Sequence, residues 1–107
     1  MTRRPVRLRP AARVEVEEAA YWYLEQGGGS LASRFVENFQ AALEHVSLHP
    51  ASGSVRYGEL TRHAGLRFWR VRDFPYLVFY QDRGEWLDVW RVLHAEHDIP
   101  AWLREGA

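Results

Sequence analysis

Four arginines lie among aromatic and β-branched residues in the second half of the chain, where their chemistry can be read from their neighbours. They are Arg67, Arg70, Arg72 and Arg91. A guanidinium group binds carboxylates and phosphates through several hydrogen bonds, and arginine is enriched at protein interfaces. We therefore predict a basic patch that binds a partner. The alternative is a solvated strand face with ordinary ion pairs to Asp73, Asp82 and Asp88.

Tryptophans are frequent in the same region. They include Trp69, Trp86, Trp90 and Trp102. Trp86 and Trp90 alternate with Leu87 and Val89, so both faces of this stretch are apolar, as is typical of a strand that is buried on both sides. Either a C-terminal helix or a bound partner is expected to cover the second face, and Trp90 is a candidate partner-binding residue. A purely core role is the alternative.

A cluster of ionisable residues follows the last of these tryptophan-rich runs. It consists of His94, Glu96, His97 and Asp98. Two histidines three positions apart can share a metal on a helix, but this match is loose and no distant third ligand is evident. We predict no metal site and no cofactor. Asp98 precedes an apolar stretch and is expected to cap a short C-terminal helix.

The stretch from Gly65 to His97 must position these side chains. Three runs in it are rich in Val, Phe, Tyr and Trp and are bounded by Pro, Gly and Asp, which predicts strands. The predicted strands are Leu66–Arg72, Tyr76–Tyr80 and Trp86–Leu93. A parallel return would need a crossover of a dozen or more residues, so these short breaks predict an antiparallel meander.

The first half of the chain predicts a short strand and two helices. The strand is Val6-Arg7-Leu8, at an edge or joined to the meander. Apolar residues then recur at helical spacing, first at Ala12, Val16, Ala19, Ala20 and Tyr23 and later at Leu31, Phe35, Phe39, Ala42, Leu43 and Val46. Gly27-Gly28-Gly29 separates the two stretches, which predicts an antiparallel helical hairpin. Residues 51–64 are expected to form a loop that folds back over the sheet.

These elements predict an α+β fold of the order β-α-α-β-β-β with a short C-terminal helix. The helical hairpin packs on one face of a three- to four-stranded, mainly antiparallel sheet, and the other face is expected to be free. Residues 1–107 are expected to form one domain.

The composition excludes several classes of function. The chain has no cysteine, which rules out disulfides and thiolate chemistry. Its formal net charge is zero, although a protein whose main partner is a nucleic acid is usually basic. No apolar run approaches the roughly 20 residues of a membrane helix, and no apolar signal region follows the basic N-terminus. We expect a cytoplasmic protein.

Six short segments occur in an order that spans nearly the whole chain. They are Leu8-Arg9-Pro10-Ala11-Ala12, Phe35-Val36-Glu37-Asn38-Phe39, His49-Pro50, Gly65-Leu66-Arg67, Tyr76-Leu77-Val78-Phe79-Tyr80, and Arg91-Val92-Leu93-His94 with Asp98-Ile99. As an ordered set they resemble the ParE/RelE superfamily, the toxins of bacterial type II toxin–antitoxin systems. The last segment is similar to the ParE branch.

The resemblance implies a toxin with a cognate antitoxin, as a homodimer or as a heterotetramer with the antitoxin. ParE-like toxins are associated with DNA gyrase, whereas RelE-like toxins cleave mRNA on the ribosome. The chain has no lysine, and Ala95 follows His94 where some relatives have a His-Tyr pair. Both features favour the ParE-like interpretation. We predict a toxin that inhibits gyrase by binding and that an antitoxin segment covers the second face of the sheet.

Two alternatives remain open at this point. An RNase would need a base, an acid and a cation that stabilises the charge of the transition state, and here that set would be His94, Glu59 and Arg70. The other alternative is a non-toxic relative that only binds its antitoxin.

Overall fold

The computed structural model describes residues 3–106, so the first two residues and the last residue of the predicted domain lie outside the described range. The elements, in order, are β1 (Val6–Leu8), α1 (Pro10–Leu48), a 3-10 turn (Pro50–Ser52), α2 (Arg56–Leu60), β2 (Leu66–Arg70), β3 (Tyr76–Asp82), β4 (Leu87–His94) and α3 (Ile99–Gly106). This arrangement confirms the predicted α+β fold. Within residues 3–106, no helix is both long and apolar enough to cross a membrane.

The predicted helical hairpin lies inside α1. Gly28 has φ 78° and ψ −172°, values outside the helical region, and divides α1 into a first arm (residues 10–27) and a second arm (residues 29–48). A straight helix of that length would measure about 58 Å, whereas the longest principal axis of the molecule is 38 Å. The rings of Tyr23 and Phe35 lie 5.2 Å apart, so the arms fold back on each other. Glycine adopts this positive φ without the steric cost of a side chain.

The sheet has four strands in the order β1-β4-β3-β2. The β2–β3 and β3–β4 pairs are antiparallel, as predicted for the meander, and β1 runs parallel to β4 at one edge. The strand ends differ from the prediction. β2 stops at Arg70 because the chain turns at Asp73, which has φ 66°, while β3 continues to Asp82 and β4 to His94.

Apolar clusters lie on both faces of the sheet. The hairpin-side cluster joins α1 to the sheet through residues such as Phe35, Val78 and Val89. The second cluster lies on the opposite face and consists of Leu66, Leu77, Phe79, Trp90, Leu93, Ile99 and Leu103. Every residue from 87 to 93 is buried, which confirms that β4 is buried on both faces. The expectation that the second face is free is wrong, because α2 and α3 cover it.

The segment that was expected to be a loop, residues 51–64, contains α2. Five residues with a glycine among them carry too weak a helical signal to be read from sequence. As predicted, the segment folds back over the sheet: Ser54 forms a bridge with Phe68, and the ring of Tyr57 lies 5.5 Å from that of Phe68. A side chain at Gly58 would place its Cβ 2.4 Å from the carbonyl oxygen of Leu66, so glycine permits this close approach.

A buried aspartate in β4 forms ion pairs with two arginines, one that follows β1 and one that precedes β4. Asp88 accepts two hydrogen bonds from Arg9, of 3.0 and 2.8 Å, and two from Arg83. Burial alone would raise the pKa of Asp88, but the hydrogen bonds and positive charges of these arginines hold its pKa below the ordinary value. The resulting stabilisation is present above the pKa of an unfolded aspartate and is lost as the pH falls through the lowered pKa of the folded state.

Candidate functional site

The four arginines of the predicted patch do not form one surface. Arg67 pairs across the sheet with Tyr80, whose side chain belongs to the hairpin-side cluster. Arg70 pairs with Leu77, which belongs to the second cluster. Cross-strand partners share a face, and residues three positions apart along a strand point to opposite faces. Arg67 and Arg70 therefore lie on opposite sides of the sheet.

Arg70 and Arg72 are the two exposed members of the set. They do not lie in one strand, because β2 ends at Arg70 and Arg72 lies in the turn that follows. The carbonyl oxygen of Arg72 accepts a hydrogen bond of 3.0 Å from the Asn38 side chain, which places this residue beside the second arm of α1.

Replacement of these two residues by alanine tests whether they bind a partner or are only solvated surface residues. Arg70→Ala and Arg72→Ala are each expected to change the free energy of unfolding by less than about 0.5 kcal/mol, because both side chains are exposed. The informative measurements are growth arrest and affinity for an antitoxin. If neither variant changes either quantity, these arginines serve only as solvated surface and their role as partner-binding residues is refuted.

Arg91 is buried, with 7% of its surface exposed. Its Nε donates hydrogen bonds of 3.1 and 2.9 Å to the two carboxylate oxygens of Glu15, and its Nη1 donates one of 2.8 Å to the Trp102 carbonyl oxygen. Glu15 also accepts a hydrogen bond from the Val92 amide. Arg91 therefore joins the first arm, β4 and α3 from inside the protein, and it presents no surface to a partner in this structure.

Trp90 is also 7% exposed and lies in the second cluster. The Arg9 guanidinium lies 4.3 Å from its ring centroid, and the ring of His63 lies 5.0 Å away. The terminal helix, one of the two predicted covers for this face, contributes Ile99 and Leu103 to the cluster. An antitoxin segment is not needed to bury this tryptophan.

The three candidate residues for RNA cleavage are not brought together. His94 pairs across the sheet with Tyr76, which packs against the hairpin-side cluster, while Arg70 lies on the opposite face and Glu59 is exposed on α2. His94 Nδ1 accepts a hydrogen bond of 3.1 Å from the Glu96 amide. A base, a cation and an acid on separate surfaces cannot act on one phosphodiester.

A groove that the sequence analysis missed lies between the first arm, the adjoining ends of β3 and β4, and α3. Its volume is about 630 Å³. We call it the aromatic groove, and its lining includes Glu18, Trp22, Tyr76, His94, His97 and Trp102. Three segments that are distant in the sequence contribute to it, so no local pattern could reveal it.

The position of Trp102 in the aromatic groove depends on the start of α3. Asp98 Oδ1 accepts a hydrogen bond of 3.4 Å from the Ala101 amide, which confirms the predicted helix cap. The ring of His97 stacks on that of Trp102 with the centroids 4.5 Å apart. On the opposite wall, Trp22 projects from the first arm and is 53% exposed. Trp22 falls outside the apolar face predicted for that helix, and this position indicated a surface aromatic at the sequence level.

Tyr76 and Glu18 interact within the aromatic groove. Burial raises the pKa of the Tyr76 hydroxyl, and the nearby negative charge of Glu18 raises it further. Tyr76 therefore stays neutral at physiological pH and offers a hydroxyl and a ring face. The aromatic groove combines a carboxylate with the faces and edges of several rings.

Comparisons with known proteins agree with this architecture. The family model of the ParE toxin of the type II toxin–antitoxin system parDE matches residues 6–99. Among solved structures, a chain of the chromosomal ParDE TA system from P. aeruginosa is similar, with a TM-score of 0.72 and 13% identity over 87% of this chain and 97% of that one. At such low identity, this likeness shows the fold alone. No curated protein sequence matches the chain significantly.

The family match begins in β1 and ends at the first residue of α3. It therefore includes the helical hairpin and the whole four-stranded sheet. The chain belongs to the ParE toxin family of type II toxin–antitoxin systems.

Proposed function

We propose that this chain acts in the cytoplasm as a toxin that inhibits DNA gyrase by binding and that a cognate antitoxin neutralises it. The observation that carries the proposal is the match of the ParE toxin family to residues 6–99. The separation of His94, Arg70 and Glu59 supports inhibition by binding rather than RNA cleavage. Zero net charge also supports a protein target over a nucleic acid.

The outer face of the first arm is the surface that best fits a protein target. Val14, Tyr21 and Leu24 are exposed apolar residues at helical spacing, and Tyr21 is 62% exposed. They form a stripe on the side of the helix that does not face the sheet. Exposed apolar patches commonly mark interaction sites, and tyrosine is enriched among the residues that dominate binding energy.

The first test measures DNA supercoiling and DNA cleavage by purified gyrase in the presence of the purified chain. The expected result is loss of supercoiling or accumulation of cleaved DNA. If a large excess of the chain has no effect on gyrase but cleaves mRNA on ribosomes, the protein is an endonuclease and the proposal is wrong. A chain that binds its antitoxin but never arrests growth would be a non-toxic relative.

Tyr21→Ala tests the stripe on the first arm. Truncation of a central aromatic contact commonly costs about 1–2 kcal/mol of binding energy, so gyrase inhibition is expected to need about tenfold more protein. The free energy of unfolding should stay within about 0.5 kcal/mol because the side chain is exposed. Glu37→Ala removes an exposed side chain from the second arm, away from the stripe, and serves as the control. Equal inhibition by Tyr21→Ala, Glu37→Ala and the wild type would show that the stripe does not contact gyrase.

A further inference from the structure

The aromatic groove contains a carboxylate whose charge is not compensated. Glu15 and Glu18 both face it from the first arm. Glu15 is paired with Arg91, but Glu18 takes part in no ion pair within residues 3–106. The buried pair contributes no net charge, so Glu18 gives the aromatic groove an excess of one negative charge.

Aromatic rings surround this charge. Trp22 and Trp102 are 53% and 36% exposed, values that leave ring surface open to solvent on opposite walls. Tyr76 also lines the aromatic groove, close enough to Glu18 for the carboxylate to raise the pKa of its hydroxyl. The face of an aromatic ring is negative and attracts cations, most strongly in tryptophan. The rings and the carboxylate therefore favour the same sign of ligand charge.

The cationic and imidazole side chains near the aromatic groove do not already serve as the counter-charge for Glu18. The Arg91 guanidinium lies 5.4 Å from the Trp102 ring, but it is buried and pairs with Glu15. His94 and His97 line the aromatic groove, but neither forms an ion pair with Glu18. Among residues 3–106, Glu18 therefore has no positive partner in the open part of the aromatic groove.

We propose that the aromatic groove receives an arginine or lysine side chain of the antitoxin. This inference rests on the proposed function, because it names the chemistry by which the neutralising partner docks. The charged head pairs with Glu18 and lies against the ring of Trp22, because His97 already stacks on the ring of Trp102. A volume of about 630 Å³ exceeds what one side chain needs, so apolar residues that flank the cation in the same segment fill the remainder.

A small-ligand titration tests the groove chemistry without the antitoxin. The chain has five tryptophans, whose indole N–H signals can be followed by NMR. N-acetyl-arginine methylamide is expected to shift the signals of Trp22 and Trp102 and to leave that of Trp86 unchanged. The citrulline analogue has nearly the same shape but no charge, and it should cause no saturable shift. Equal shifts with both compounds, or none with arginine, would overturn the inference.

Two matched variants then test the role of Glu18. Glu18→Gln and Glu17→Gln remove the same charge from adjacent exposed positions on one helix, but only Glu18 lines the aromatic groove. Glu18→Gln should abolish the arginine shifts and weaken binding of the antitoxin encoded beside the toxin by about tenfold, with a smaller dependence on salt. Glu17→Gln should behave as the wild type.

The outcomes separate this inference from the proposed function. An antitoxin that binds the wild type and Glu18→Gln with equal affinity overturns the inference and leaves the gyrase result untouched. A wild-type chain that binds no antitoxin overturns both. Formation of a stable homodimer that Glu18→Gln disrupts would show that a second copy of this chain fills the aromatic groove, which also overturns the inference.

Discussion

Replacing Arg91 with alanine is expected to lower the free energy of unfolding by about 3–5 kcal/mol, because it leaves the partner of a buried ion pair uncompensated. The Glu15 carboxylate would keep only its hydrogen bond from the Val92 amide. The Trp102 carbonyl oxygen would also lose its donor, which loosens the attachment of α3. Urea denaturation followed by tryptophan fluorescence measures the change.

A double variant distinguishes the cost of the uncompensated Glu15 charge from the cost of the packing lost with the Arg91 side chain. Glu15→Leu combined with Arg91→Met replaces both charged side chains with apolar ones of similar length, and such replacements of buried pairs are often tolerated. The double variant should therefore be more stable than Arg91→Ala alone, despite the unpaired Val92 amide and Trp102 carbonyl. If the free energy of unfolding of Arg91→Ala lies within about 1 kcal/mol of the wild-type value, the ion pair is solvated and does not stabilise the interior.

Trp90→Ala is the second substitution with a large expected effect, a loss of about 3–5 kcal/mol of stability. Its side chain is a large member of the second cluster, and its removal leaves a cavity in that cluster. The Arg9 guanidinium would lose the ring beneath it, which weakens the link between β1 and β4. Thermal unfolding monitored by far-UV circular dichroism gives the measurement.

Trp22→Ala is the matched control for this substitution, since it deletes the same side chain from an exposed position. Its expected cost is less than about 1 kcal/mol. A near-neutral Trp90→Ala would mean that this residue lies on a surface that a partner covers, as the sequence alone allowed. Equal large losses in both variants would contradict the burial that distinguishes the two residues.

The repeating patterns in the chain predicted most of the fold. Gly27-Gly28-Gly29 between two amphipathic stretches predicted the hairpin, and a run that is apolar in both registers predicted that β4 is buried on both faces. These features are local, because glycine conformation and side-chain alternation act over a few residues. The short helix α2 was not predicted, because its formation depends on contacts with β2 rather than on its own sequence.

The functional surface was harder to predict because charge alone does not reveal exposure. Arg91 and Arg70 have similar neighbours in the sequence. Arg91 is nevertheless buried, because it pairs with Glu15, which lies 76 positions earlier. The aromatic groove could not be predicted for a similar reason, because its walls come from the first arm and from α3, which are far apart in the sequence. Trp22 could have suggested it, since a tryptophan outside the apolar face of a helix has no core to enter.

The parallel pairing of β1 with β4 has a consequence for how the toxin first appears in a cell. Val6 pairs with Leu87, so the first strand has no neighbour in the sheet until β4 has been made. At about 5–20 residues per second, synthesis of the intervening chain takes several seconds. Contacts this distant in sequence also slow folding after release from the ribosome. The nascent toxin therefore passes through an interval in which its N-terminal strand is open, and an antitoxin that is already present has time to meet it before the native sheet closes.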